Sequence, residues 1–436
     1  MFSNQMIAAI LVPVILEQLL NSVMGTADTM MVSNVGSAAI SAVSLVDSIN
    51  VLVIQAFSAL AAGGAIICAQ YIGQKNKERA NESARQVLFI ITAISIVVSL
   101  ICLIFQKPLL RVIFGSVEAE VMRASEIYFF YTALSFPFIA AYDAAASIFR
   151  AQDNTKGPMI ISMISNVMNI VGNAIMIWGF HMGVAGAGLA TVGANATSAV
   201  QILYFLTHEE LPIRLSFKSL TIDRDAVSKI LKIGVPAGLQ GMVFSLANVC
   251  IQSGINSFGA GGIAGSAVEL NYEYFAYYLV NAFAQTVVTF TGQNYGAKDE
   301  GRCKKIFRLG MLCSVISCGI LSTIFVVFRT FFIGLFTSDP SVYHYAQLRF
   351  LIVLTFECLT SSYEISGGCL RGFGRSMTPA ILTVFGSCVL RLIWLATVCN
   401  WFHDYKLLIA IYPISWVLTG TMVLVAYFRT HKKLFL

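Results

Sequence analysis

Charge is what this sequence has least of. Asp, Glu, Lys and Arg make up 11% of the 436 residues, while 57% are hydrophobic; soluble domains carry about 25% charge. A soluble chain cannot hide so much apolar surface, because single cores stop growing beyond about 250–300 residues. The apolar residues come in runs of about 20, the helix length that crosses a bilayer, so the chain reads as an integral membrane protein. Histidine is scarce too. His181, His208, His344, His403 and His431 are scattered through connections and span ends without metal-ligand spacing. A membrane enzyme would need a nucleophile or metal cluster near an interface, so the reading is a non-enzyme without metal or cofactor. The ten cysteines include no Cys-x-x-Cys pair, and all but Cys303 lie in or beside apolar runs, where cysteine packs as a small apolar residue. No Lys or Arg precedes Lys75, so the first apolar run lacks the positive flank of a signal peptide and reads as a retained helix. The net charge of +6 does not point to nucleic acid, because the basic residues sit in short loops, where they encode topology.

Apolar runs fall near 6–32, 40–66, 86–106, 125–149, 158–180 and 184–206, then near 230–257, 264–291, 306–328, 343–368, 378–400 and 407–428. The expected fold is all-α, with about twelve transmembrane helices. The longest polar connection divides the chain into an N-terminal six-helix lobe (1–207), a linker (208–228) and a C-terminal six-helix lobe (229–436). Only Lys107, Arg111, Arg123, Arg329, Arg349, Arg391 and Lys406 lie on one side of the implied membrane, and the other 21 of the 28 Lys and Arg lie opposite. That asymmetry places the richer side, the linker and both termini in the cytoplasm of a bacterial plasma (inner) membrane.

The halves repeat. Pro13, Gln70, Gly73, Lys75 and Arg79 match Pro236, Gln293, Gly296, Lys298 and Arg302, all 223 apart, and Arg150 and Pro158 match Arg371 and Pro379, 221 apart. Six spans per unit insert both lobes with the same polarity, so their pseudo-two-fold axis runs along the membrane normal. Two like-oriented bundles suit alternating-access transport, and nothing resembles a channel's selectivity filter.

Ionisable groups inside spans cost about 2.5–3.5 kcal/mol each on insertion scales, so those present need explaining. Glu17, Asn21 and Asp28 fall within roughly 40° of one another on the first span, a polar stripe suited to a cation or proton. Their lobe alone is acidic there, since Glu17 matches Gln240 and Asp28 matches Ile251. The fifth span places Asn166, Asn169 and Asn173 on one face, against Ser387, Leu390 and Trp394 in the repeat, and the sixth adds Thr191 and Asn195. In the second lobe Glu269, Glu273, Tyr277 and Asn281 follow at four-residue spacing, Glu357 and Glu364 share a face of the tenth span, and Tyr274 lies nearby. Carboxylates beside aromatic rings suit an organic cation, through charge pairing and cation–π attraction; an outer-interface position for Glu269 within an aromatic belt is the other reading. Asp47 and Asp143 fit either a lumen or an interface.

These residues carry a resemblance: the chain is similar to bacterial members of the multidrug and toxic compound extrusion (MATE) family. The matching stretches are Gly-Thr-Ala-Asp-Thr-Met-Met-Val-Ser (25–33), Asn-Val-Met-Asn-Ile-Val-Gly-Asn (166–173), Gly-Val-Ala-Gly-Ala-Gly-Leu-Ala-Thr (183–191), Gln-Asn-Tyr-Gly-Ala-Lys (293–298) and Cys-Leu-Arg-Gly-Phe-Gly-Arg-Ser (369–376). The resemblance implies a V-shaped pair of lobes that expels small lipophilic cations in exchange for H⁺ or Na⁺, acting as a monomer in the lipid bilayer. It gives Asp28 the place of the first-lobe coupling acid and maps the family's partner positions to Asn169, Asn173 and Thr191. Some relatives carry aspartate at the position of Asn173, so the site here has one negative charge fewer, which weakens it for Na⁺. The seventh span also lacks the coupling glutamate of some relatives, a role that Glu273 and Glu364 are the candidates to fill.

The expected mechanism alternately protonates and deprotonates Asp28 as the lobes rock, and the membrane potential contributes about 2.3 kcal/mol per charge per 100 mV. The nearest alternative is a lipid or lipid-linked oligosaccharide flippase of related fold, whose anionic substrate would call for Arg or Lys along the cavity. The span interiors offer mainly acids, Arg391 being the chief exception. A major-facilitator transporter would show a Gly-x-x-x-Asp-Arg-x-Gly-Arg loop, which is missing.

Overall fold

In hydrocarbon every backbone N–H and C=O must find its partner within the segment, which leaves helices as the way to span a bilayer with apolar runs of this length. The structure, a computed structural model, describes residues 12–20, 30–32, 35–115, 118–208, 213 and 223–435, and every regular element among them is helical. Span 1 is helical over 12–20 and 30–32; Asn21 and Asp28 lie outside the described residues. Spans 2 to 6 are Ser37–Gly73, Lys77–Ile104, Ala119–Ala151, Lys156–Gly179 and Gly183–His208. Spans 7 to 9 are Arg224–Asn256, Gly259–Gly296 and Glu300–Val327, and spans 11 and 12 are Met377–Trp401 and Tyr405–Phe435.

Nine of these helices are long and apolar enough to cross a membrane by themselves. Span 8 is 38 residues long, but Glu269, Asn271, Glu273 and neighbouring tyrosines dilute its apolar character. Span 10 is broken: Pro340–Ile352 passes through a 3₁₀ turn, Leu354–Leu359, into Thr360–Gly372. With span 1 these complete the expected twelve. Most helices run past their apolar stretches because their polar flanks stay helical; span 3 begins at Lys77, with Asn76 accepting a hydrogen bond from the Arg79 N–H at 3.1 Å, an N-cap.

The repeat is written in the backbone. Short helices follow span 3 (Gln106–Phe114) and span 9 (Arg329–Gly334), 223 residues apart. Lys75 and Lys298 both take φ +58° in the turns after spans 2 and 8, and Asp153 (φ +63°) and Gly374 (φ +78°) occupy matching turns after spans 4 and 10. In each unit the second span packs on the third and fourth, the fourth on the sixth, and the fifth on the sixth, as do spans 8 with 9 and 10, 10 with 12, and 11 with 12.

Packing gathers the chain into two units, Met1–Gly238 and Leu239–Leu436. The first half of span 7 therefore belongs with the first unit, whereas the sequence boundary was drawn at the polar linker. The reason is a close backbone approach to span 2: a Cβ on Gly63 would stand 2.7 Å from the Gly234 nitrogen, and one on Gly234 would stand 2.8 Å from Leu60 Cα. In the second unit Tyr272 sits in a core cluster with Val268, Phe350 and Leu354, packed by Phe325 and Phe332.

Candidate functional site

In the first unit the amides of span 5 meet the threonine of span 6. Asn169 and Asn173 stand one turn apart on a buried face, as four-residue spacing dictates. Asn173 Nδ2 donates to Asn169 Oδ1 at 2.9 Å, Asn169 Nδ2 donates to Thr191 Oγ1 at 3.2 Å, and the Thr191 hydroxyl donates to the Ala187 carbonyl at 2.9 Å. The two helices come close here because Gly172 faces Ala190, where a Cβ would lie 3.0 Å from the alanine Cβ. A π turn, Ala174–Gly179, follows Asn173 directly; such turns often mark functional positions. Of the six residues assigned to first-lobe coupling, the structure joins Asn169, Asn173 and Thr191.

Glu17 has a different neighbourhood. It is 4% exposed, and Arg150 of span 4 places Nη2 2.9 and 3.0 Å from its two carboxylate oxygens. The Tyr142 hydroxyl is 3.2 Å from Glu17 Oε1 and 2.9 Å from the Pro158 carbonyl. Sequence reasoning placed Arg150 among the topology-setting charges and the repeat pairs but not at the site, and Tyr142 not at all.

The second unit holds the carboxylates of span 8 against an arginine of span 10. Arg349 is 1% exposed; its Nε donates to Glu269 and its Nη2 to Glu273 Oε2 at 2.8 Å. Glu269 is fully buried, facing the protein interior rather than lipid. Glu364 also has a cation partner, Arg371 Nη2 at 3.3 Å, and it accepts from the Tyr277 hydroxyl at 3.3 Å. Three of the four acids thus have an arginine partner, Glu269 and Glu273 sharing one. Glu357, on the 3₁₀ turn, is 1% exposed, has no Lys or Arg within ion-pair distance among the described residues, and leaves Oε2 buried without a hydrogen bond. Tyr274 stands apart, about half exposed and stacked on Tyr278.

Arg391 of span 11 is equally buried. Its Nε bonds Ser415 Oγ at 3.1 Å and its Nη1 bonds Asn248 Oδ1 at 3.2 Å. Its guanidinium lies 4.5 Å from the ring centre of Tyr412, which Arg349 also approaches at 5.1 Å. Both arginines thus lie over Tyr412 of span 12, a ring that the sequence does not single out. The signal for both was in the sequence, since each lies within an apolar run.

A profile of the MatE family matches residues 13–175 and again 236–396. The chain belongs to the MatE family. The two matches begin 223 residues apart and end 221 apart, the offsets of the internal repeat, so each half carries one MatE unit. Among relatives, the probable multidrug resistance protein NorM of Thermotoga maritima is 26% identical over 389 residues, covering 87% of this chain and 82% of the relative. The probable multidrug resistance protein YoeA of Bacillus subtilis is 25% identical over 383 residues, with 86% and 82% covered. The multidrug export protein MepA of Staphylococcus aureus is 22% identical over 353 residues, with 80% and 77% covered. Crystal structures of a MATE protein in straight and in bent conformations superimpose with TM-scores of 0.92 at 18% identity, over 98% of this chain and 96% and 95% of theirs, respectively. The MatE chain is thus a multi-pass membrane transporter of twelve helices in two six-helix halves.

Proposed function

We propose that this MatE protein is a secondary-active multidrug efflux antiporter, exporting lipophilic organic cations in exchange for H⁺ or Na⁺ by alternating access. The observation that carries the reading is the one-sided amide network: Asn173, Asn169 and Thr191 form a hydrogen-bonded chain in the first unit, whereas their repeat mates are Trp394, Leu390 and Tyr412. A scaffold built twice but polar once in this place has a reason for the difference. Asp28, carrying the family's coupling acid on span 1, is the proton or cation carrier that this chain of amides serves. An amide rather than a carboxylate at 173 favours H⁺ over Na⁺. Glu357 remains as the second-unit acid without an internal cation.

The test is efflux of ethidium from pump-deficient bacteria expressing wild type or Asp28→Asn, under an imposed pH gradient and, separately, an imposed Na⁺ gradient. Wild-type export under one gradient, reduced at least tenfold in Asp28→Asn at equal expression, supports the assignment and names the ion. Full transport by Asp28→Asn would remove Asp28 from the mechanism. No cation movement under either gradient would favour the flippase reading, for which the buried Arg391 is the one supporting observation.

A further inference from the structure

The first unit contains an ionisable cluster that the exchange at Asp28 does not use. We propose that Glu17, Asp143 and Arg150 form a second proton-holding site, in which two carboxyls compete for one arginine and the proton resides on the carboxyl that the arginine leaves. The proposal rests on the membrane fold and is independent of which compounds are exported.

The geometry gives the present occupancy. Arg150 engages both oxygens of Glu17, and Tyr142 adds its hydroxyl. Asp143, seven residues before Arg150 in span 4, leaves Oδ2 buried without a hydrogen-bond partner among the described residues, and Arg150 Nε is buried and unpartnered as well. The ionisable groups facing one another are Glu17 from span 1 and Tyr142, Asp143 and Arg150 from span 4. Span 5 faces them with the Pro158 carbonyl. Two acids and one base leave one negative charge in excess, and an uncompensated charge inside a membrane protein costs several kcal/mol. A proton on Asp143 removes it. The proton-bearing group then lies beside the ion pair.

The repeat shows the other occupancy. Asp143 and Arg150 correspond to Glu364 and Arg371, each 221 residues on, and there the arginine does turn to the acid seven residues before it, at 3.3 Å. Glu17 corresponds to Gln240, which is neutral. Where span 1's counterpart offers an amide, the arginine holds the acid of its own span; where span 1 offers a carboxylate, the arginine reaches across to it. One local frame supports both partnerships. Moving Arg150 from Glu17 to Asp143 passes one proton from the Asp143 carboxyl to the Glu17 carboxylate, leaves the cluster's net charge unchanged, and removes the ion pair between span 1 and span 4, leaving only the Tyr142 hydroxyl on Glu17. The position of the proton therefore reports whether the ion pair ties the two helices.

Infrared difference spectra of the full-length protein in lipid nanodiscs test this, read at the carboxylic-acid C=O band that shifts in D₂O. Asp143→Asn is expected to lose one carboxyl's intensity, and Asp143→Glu to retain it. Glu17→Gln is also expected to lose one, because Arg150 then pairs with Asp143 and ionises it. Unchanged intensity in Asp143→Asn would overturn the site, since both acids would then be ionised. Loss in Asp143→Asn without loss in Glu17→Gln would overturn the exchange of partners. Repeating the pair of spectra on an Asp28→Asn background keeps the result separate from the transport scheme; the same losses are expected there.

Discussion

A buried arginine held by two glutamates is stable only as a set. Taking the three groups out of water costs several kcal/mol per ion, which the pairing largely returns, so the intact cluster adds little net stability while removal of one partner costs about 3–5 kcal/mol. Glu269→Ala, which leaves the fully buried side of Arg349 facing a void, is therefore expected to lower the thermal melting point of the detergent-solubilised protein clearly. A melting curve within error of wild type would show that Glu273, still 2.8 Å from Arg349 Nη2, satisfies the arginine alone. At this scale the sequence was legible in part. Acids and amides within apolar runs were visible as costly residues; Asn169 and Asn173 share the face that their spacing indicated, while Thr191 was grouped with them by the resemblance alone. Arg391 stood out as a base inside a span, whereas Arg150 and Arg349 were counted with the charges that set topology, although Arg349 lies within an apolar run. Which acid such an arginine selects depends on neighbouring helices, which spacing along one helix does not reveal.

Helices that pack backbone to backbone leave no room for a side chain, and spans 2 and 7 do so at Gly63 and Gly234. A valine at Gly63 would meet main-chain atoms at 2.7–2.8 Å, where nothing flexible can give way, so the helices must separate. Gly63→Val is expected to lower both the yield of monodisperse protein in size-exclusion chromatography and its melting point. Gly193→Ala, with nothing within 4 Å of the added carbon, is the control and should match or slightly exceed wild type. Equal behaviour of the two variants would mean that the close approach is dispensable. Element existence was readable because twenty apolar residues have one use in a membrane. The 3₁₀ turn at Leu354–Leu359 and the π turns at Ala174–Gly179 and Val384–Val389 were not, because a span apolar on most faces carries little periodic phase to betray a change of helical pitch.

For the whole molecule, duplication was legible from matched loop residues at fixed offsets, and it reappears in matching turns, short helices and packing pairs. What the sequence could not give was the packing boundary, since a polar linker marks where the chain leaves the membrane rather than where contacts change partners. Orientation follows from the distribution of Lys and Arg and is open to direct measurement. Single cysteines at Gly115 and Met182, on a background without reactive native cysteines, should react with a membrane-impermeant maleimide in whole cells, and cysteines at Asn76 and Asp153 only after permeabilisation. The opposite pattern would invert the molecule.

The paired lysines at the turns after spans 2 and 8 have a cost that a glycine would avoid. A left-handed backbone puts an L side chain against its own carbonyl, roughly 1–2 kcal/mol for each residue, and both Lys75 and Lys298 adopt it. The strain is permanent, present for as long as the protein exists. The benefit of a positive charge at that rim is transient, because loop charge biases orientation while the chain is being inserted. These two residues thus bind lifetime stability to a decision made once, during biogenesis. Relaxing both turns with glycine would yield a transporter that is harder to unfold after insertion and less strongly biased in the direction in which it inserts.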